Sequence, residues 1–232
     1  MNEKTIDFND FADNYRQIHS QNIKITGENS EYFSEYKIFE LTKFLKKNNP
    51  LKILDYGCGD GSSEIYFEKY FPKASILGID VSNQSLKIAT QKKLKNSTFL
   101  TFDGSTIPSN SQTFDVIFAA CVFHHIEGNK HIEVLQEFFR VLKDGGLVVI
   151  FEHNRLNPLT RKAVWKCKFD EGVKLVSVLT LKKKMKRVGF KNLCTNFTLF
   201  MPRHKFFKPF LFLENYLKKL PIGGQYYISA QK

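Results

Sequence analysis

Residues 51–63 read Leu51-Lys52-Ile53-Leu54-Asp55-Tyr56-Gly57-Cys58-Gly59-Asp60-Gly61-Ser62-Ser63, a short apolar strand that passes through a glycine turn into a helix. Ile53 and Leu54 form the strand with their flanking residues, and Asp55 closes it. Gly57, Gly59 and Gly61 permit backbone angles and close approaches that a Cβ would block. A strand, glycine turn and helix in this order make a nucleoside-binding device. The spacing is G-x-G-x-G, and Ser62 stands where a dinucleotide fingerprint carries its third glycine, which turns the reading away from NAD.

Residues 76–82, Ile-Leu-Gly-Ile-Asp-Val-Ser, supply a second apolar strand. It ends at Asp80, about twenty residues beyond the glycines, where a carboxylate accepts from both ribose hydroxyls. With Asp55 ahead of the turn, these segments resemble the opening motifs of the class I S-adenosylmethionine-dependent methyltransferases. The resemblance covers residues 50–150. It implies an α/β, Rossmann-like fold, with a seven-stranded sheet in the order 3-2-1-4-5-7-6 and helices on both faces. It also implies S-adenosylmethionine as cofactor, in contact with Asp55, Tyr56, Gly57, Cys58, Gly59, Asp80, Val81, Asp103, Gly104 and Ala120. Asp103 and Gly104 follow a third candidate strand, residues 98–102, and match the family position whose Asp accepts from the adenine amino group.

Strands and helices alternate from Lys52 onward, the pattern of a parallel sheet covered on both faces. The expected strands are residues 51–55, 76–80, 98–102, 114–119 and 146–152. Between the last two, Leu135, Phe138, Phe139 and Leu142 recur at i, i+3, i+4 and i+7, which predicts a helix stopped by Asp144-Gly145-Gly146. A basic helix is expected over residues 171–188, ending at Gly189, followed by β segments at 193–200 and 224–231. The 201–223 connection is too long for a hairpin turn and reads as an inserted cap. The 232 residues thus form one domain: an N-terminal helical cover (1–50), a cofactor-binding core (51–152) and a C-terminal part carrying the cap. Two amphipathic helices are expected in the cover, with Tyr15, Tyr32 and Tyr36 as candidates to reach the methionine end of the ligand.

The net charge of +12 is concentrated in the C-terminal third, where residues 151–232 hold 18 Lys and Arg against 4 Asp and Glu. Such asymmetry suits an anionic substrate, nucleic acid or an acidic membrane, or is simply a solvated basic face. No apolar run approaches the roughly 18 residues that a membrane span needs, and no basic-then-apolar leader opens the chain, so a soluble, cytoplasmic protein is expected. Cys58, Cys121, Cys167 and Cys194 form no CxxC pair, and no His or acidic cluster has ligand spacing, so neither a disulfide framework nor a metal site is expected.

In open α/β sheets the ligand sits beyond the carboxyl ends of the strands, at the switch between the first and fourth. That rule selects the loop Ala119-Ala-Cys-Val-Phe-His-His-Ile-Glu127. His124 and His125 are its adjacent imidazoles and the catalytic candidates, as base or as groups that orient the acceptor. After strand five, Glu152-His153-Asn154-Arg155 and Asn157-Pro-Leu-Thr-Arg161 resemble pieces found in bacterial small-molecule methyltransferases. There His153 faces the acceptor in this reading, and Arg155 and Arg161 receive a phosphate or carboxylate.

The sequence therefore points to methyl transfer onto a small-molecule acceptor, with a saccharide and an anionic metabolite as candidates and oxygen ahead of nitrogen as acceptor atom. Two rival readings stand beside it. A nucleic-acid methyltransferase is prompted by the basic C-terminal third, but no Asn/Asp-Pro-Pro-Tyr/Phe segment follows strand four to hold a flipped base amine. A SAM-binding protein without turnover is the other. The aromatic and basic stretch 204–220 reads as a lid, as an interfacial element against anionic lipid, or as a packed helix with solvated lysines, any helix starting near Pro209.

Overall fold

The computed structural model describes residues 30–45, 49–167, 170, 172–201 and 212–232. The first expected N-terminal helix, with Tyr15, and residues 204–211 of the inserted stretch, with Pro209, lie outside them.

The elements follow the chain as α1 (Ser30–Leu41), β1 (Lys52–Tyr56), α2 (Ser62–Tyr70), β2 (Ser75–Asp80), α3 (Asn83–Gln91), β3 (Ser97–Thr101), β4 (Phe114–Ala120), α4 (His131–Val141), β5 (Leu142–His153), α5 (Pro158–Lys166), α6 (Val178–Val188), β6 (Lys191–Thr198), α7 (Glu214–Leu217) and β7 (Gln225–Gln231). A 3-10 turn, Phe123–His125, follows β4. The sheet order is β3-β2-β1-β4-β5-β7-β6. Strands β1 to β5 pair in parallel, and β7 runs antiparallel between β5 and β6. This is the expected topology.

The two faces of the sheet are set by strand alternation. Leu54 and Tyr56 of β1 join Phe123, Leu135, Phe138, Leu181 and Met185 in one core, under α4 and α6. Ile53, one residue out of phase, joins Phe67, Phe71, Phe118, Phe151 and Tyr227 in the other, with Ile38 and Leu41 of α1. Each of these fully buried side chains contributes about 1.5–3 kcal/mol of apolar transfer. α1 and α2 therefore pack as one layer, which carries α1 over the carboxyl ends of the strands.

Two helix boundaries differ from the sequence reading. The helix with the Leu135 stripe ends at Val141, and Leu142 already pairs with Phe114 in β5. Leu142 is fully buried in the same core as Leu135, so apolar spacing alone does not separate its last helical turn from the first strand residue. Gly145, at φ +74°, lies within β5 and does not stop the helix. The basic helix begins at Val178, not near 171. Its start is set by Ser177, whose hydroxyl accepts from the Thr180 amide at 3.1 Å, and just before it the Val176 carbonyl accepts from the Tyr226 hydroxyl at 2.9 Å. Gly189 ends that helix in a left-handed conformation, as expected.

The described part of the inserted stretch is anchored to the sheet edge. Phe197 donates its amide to the Lys218 carbonyl at 2.7 Å, and Lys219 donates to the Thr195 carbonyl at 3.0 Å. Asn154 donates to the carbonyls of Pro221 and Gly223, and Asn157 to that of Ile222, so the loop after β5 is tied to the turn before β7.

Candidate functional site

The sheet reverses its strand order between β1 and β4, and a cavity of about 340 Å³ opens there at the carboxyl ends. One wall is the glycine turn. Gly57 and Cys58 both donate their amides to the Ile79 carbonyl, at 2.8 and 3.1 Å, which curls the chain back over β2. Gly57 has φ +75°, and a Cβ there would stand 2.5 Å from Val122 on the opposite wall, so the turn and the loop after β4 meet only because this residue has no side chain. At Gly59 the side a Cβ would occupy is open, with no atom of the described residues within 4 Å.

Asp80 closes this wall. One carboxylate oxygen accepts from the Gly59 amide and the other from the Ser82 amide, each at 2.8 Å. Burial pushes its pKa up, and these two amides hold it partly down. Behind the turn, Asp55 and Glu64 are both fully buried, and Asp55 Oδ2 and both Glu64 oxygens have no hydrogen-bond partner among the described residues. Burial, then the charge of its neighbour, drives the Glu64 carboxyl well up, and burial holds Asp55 at about 7. Gly78 makes room for this pair: a Cβ there would lie 2.7 Å from Glu64 Oε1 and 2.9 Å from the Cys58 sulfur.

The far wall is built from the loop after β4, the end of β5 and the segment after α5. Buried Glu152 accepts from the Phe123 amide through one oxygen and contacts His124 Nδ1 through the other, both at 2.7 Å. His124 Nε2 stands 3.3 Å from Asp170 Oδ1, and His125 Nε2 stands 3.4 Å from the same oxygen. Burial disfavours a charged His124, but the two carboxylates outweigh it and hold the ring protonated up to about 10. Burial and the neighbouring His124 pull His125 down to about 4. Burial opposes ionisation of Asp170, yet the imidazoles bring it to about 2. His131 of α4 fixes the 3-10 turn from beneath, with Nε2 at 2.8 Å from the Phe123 carbonyl and 3.0 Å from that of Ile126.

Among the cofactor candidates, Asp55, Tyr56, Gly57, Cys58, Gly59, Asp80, Val81, Gly104 and Ala120 line the cavity. Asp103 does not: its exposed carboxylate turns back to accept from the Ser105 and Thr106 amides, each at 2.8 Å. His124, His125 and His153 line it too, whereas Arg155 and Arg161 are exposed and stand outside it. From α1 the cavity receives Phe33 and Lys37, not Tyr32 or Tyr36.

Several lining groups were not singled out from sequence. Cys121, at φ +59°, is approached by Lys37 Nζ at 3.6 Å and by Gln225 Nε2 at 3.7 Å. Gln225 Oε1 is buried without a hydrogen-bond partner among the described residues. Asp170 brings two imidazoles and a carboxylate together, a cluster with potential metal ligands where sequence spacing predicts none. The i, i+4 spacing of Phe33 and Lys37 was the available signal for α1. No local pattern signals Asp170 or Gln225.

Open glycine geometry, buried orphan oxygens and a ring of polar groups fit a nucleoside-bearing cofactor. Residues 30–195 match the family described as a methyltransferase domain. A demethylmenaquinone methyltransferase of Thermotoga maritima is 35% identical over 114 residues, 49% of this chain and 48% of that protein. Phosphoethanolamine N-methyltransferase 1 of Arabidopsis thaliana is 32% identical over 58% of this chain and 27% of its own length. The chain thus spans about half the length, or less, of these curated relatives. Among solved structures, a SAM-dependent methyltransferase of Thermotoga maritima superposes with a TM-score of 0.69 at 19% identity, covering 97% of this chain and 98% of that one. Phosphoethanolamine N-methyltransferase 2 of Haemonchus contortus, in complex with S-adenosyl-L-methionine, gives 0.68 at 18% identity over 99% of this chain and 60% of that one.

Proposed function

This chain belongs to the methyltransferase-domain family that its residues 30–195 match, and from that membership we propose that it binds S-adenosylmethionine in the switch-point cavity and methylates a small-molecule acceptor, oxygen first and nitrogen second. The observation that carries the reading is Asp80, fixed at the end of β2 by the Gly59 and Ser82 amides beside an open glycine turn. Residues Asp55 to Gly59, Asp80, Val81, Gly104 and Ala120 would hold the cofactor. When bound, it supplies the methyl group as a sulfonium.

His124, His125 and His153 line the acceptor end. Both ring nitrogens of His124 face carboxylates, which suits an orienting role for it. An in-line methyl displacement gains most from such positioning, several kcal/mol on the usual scale, and needs no strong base. Relatives named for demethylmenaquinone and phosphoethanolamine support a small acceptor without choosing its class. Lys37, not Arg155 or Arg161, brings a lysine ammonium to the cavity, where it suits an acceptor with a phosphate or carboxylate. Among the described residues no helix is long and apolar enough to cross a membrane, and we place the reaction in the cytoplasm.

Calorimetric titration of the full chain tests the reading. S-adenosylhomocysteine should bind and NAD should not, and Asp80→Ala should weaken binding by about 1.5–3 kcal/mol, the cost of leaving polar partners without a charged acceptor. Undiminished affinity in Asp80→Ala, or tighter binding of NAD, would overturn it.

A further inference from the structure

The far wall of the cavity gathers His124, His125 and Asp170, whose ligand atoms all lie within 4.8 Å of one another. Their spacing is informative. A charge-assisted N–H···O bond closes to about 2.7–2.9 Å, as His124 Nδ1 does with Glu152 at 2.7 Å. The contacts of His124 Nε2 and His125 Nε2 with Asp170 Oδ1 stay at 3.3 and 3.4 Å. Bonds of about 2.0–2.1 Å from a tetrahedral ion to nitrogen and oxygen hold the ligand atoms about 3.3–3.4 Å apart. The two long contacts thus have the length of a tetrahedron's edges around one centre.

Two further features agree. Glu152 occupies Nδ1 of His124, and once a metal displaces the Nε2 proton a carboxylate in that place fixes the tautomer whose Nε2 lone pair points to the metal. Glu152 is fully buried and Asp170 largely so. A buried charge needs a compensating one. A single proton shared at His124 offsets one of these two carboxylates, whereas a divalent cation offsets both. His125 is packed against His124, ring centroids 4.1 Å apart, which places two imidazole edges on one side of Asp170.

We propose that His124, His125 and Asp170 bind one divalent transition-metal ion of the zinc class, with Glu152 as the carboxylate behind His124. Three protein ligands leave a fourth position free, and the three residues line the cavity. An oxygen of the acceptor is the group this position would take. That role rests on the methyl-transfer reading; the metal binding does not.

The test uses the full chain, stripped with EDTA and dialysed into metal-free buffer. Titration with Zn(II) by calorimetry should show one equivalent bound, and Co(II) should give visible absorption bands of a low-coordinate site. Asp170→Asn, which keeps the side chain's shape, and His125→Ala should each lose those bands and weaken Zn(II) binding at least tenfold. Glu152→Gln should weaken it about 10- to 100-fold. Circular dichroism confirms that each variant is folded, and S-adenosylhomocysteine titration, which reads the opposite wall, should be unchanged in Asp170→Asn. Failure of parent protein to bind Zn(II) at micromolar concentration, or equal binding in folded Asp170→Asn and His125→Ala, overturns the site. Loss of S-adenosylhomocysteine binding in the parent with metal binding intact would overturn the cofactor reading instead.

Discussion

Cys121 shows how single residues in this cavity acquire chemistry from distant parts of the chain. Burial pushes its thiol up, but Lys37 and then His153 outweigh that and bring it down to about 7. A thiol in that range reacts as its thiolate at neutral pH. Alkylation of Cys121 by iodoacetamide, followed on its peptide by mass spectrometry, should therefore reach half its maximal rate near pH 7. Lys37→Ala should move that midpoint upward and slow the reaction at pH 7 several-fold. A parent midpoint near the ordinary thiol value of about 8.5 would contradict the electrostatics. The same residues explain what was legible at this scale. Gly57 and Asp80 were readable because a ligand turn is a local pattern of strand, glycine and carboxylate. Lys37, Asp170 and Gln225 were not, because each reaches the cavity from an element whose approach only the fold determines. Asp103 has a local alternative to a ligand, two backbone amides of its own loop, and that competition is invisible in sequence.

At the level of elements, α2 carries an internal conflict. Its first turn places Glu64 in the interior against Asp55, and among the described residues Asp55 Oδ2 and both Glu64 oxygens have no hydrogen-bond partner. Both carboxyls are pushed up, so the folded chain holds protons that the unfolded chain releases. The stability linked to this pair is therefore full below the ordinary carboxyl range of about 4 and is lost as pH rises, through about 7 for Asp55. Urea unfolding at pH 5 and pH 8 should show Glu64→Gln gaining on the parent at the higher pH by about 1–3 kcal/mol, the scale of an uncompensated buried polar group. An identical pH dependence in parent and variant would sink this account. Element boundaries were less legible than element types. Apolar spacing carries α4 into β5 because Leu142 belongs to the same core either way, and basic composition carries α6 back toward residue 171 because basic residues lie on both sides of the Ser177 cap.

Across the whole molecule, the sheet order could be anticipated because residues 51–63 and 76–82 resemble the class I methyltransferases, which implies the order 3-2-1-4-5-7-6; alternation alone gives a parallel sheet covered on both faces. The stretch between β6 and β7 could not, since its length excludes a hairpin without saying where it packs. Its described end docks on β6, through Lys218 and Lys219, and neither residue lines the cavity. Nearby, Phe212, Tyr216 and Ile222 stand exposed, as do Leu156, Leu159 and Trp165 on and beside α5, which Asn157 ties to Ile222. Apolar side chains among lysines are the composition of a surface that meets anionic lipid. Replacing Lys205, Lys208, Lys218 and Lys219 with Gln should thus leave S-adenosylhomocysteine affinity within twofold. It should cost about 1 kcal/mol of stability for the Lys219 bond to the Thr195 carbonyl. In the parent, sedimentation with phosphatidylglycerol vesicles should be measurable at low salt and fall as salt rises, because exposed charges are screened within about 10 Å at 0.1 M. The quadruple variant should stay in the supernatant. If the parent also stays there at low salt, 204–220 has no lipid role and the basic C-terminal third is a solvated face; if the variant loses cofactor affinity, the stretch reaches the cavity after all.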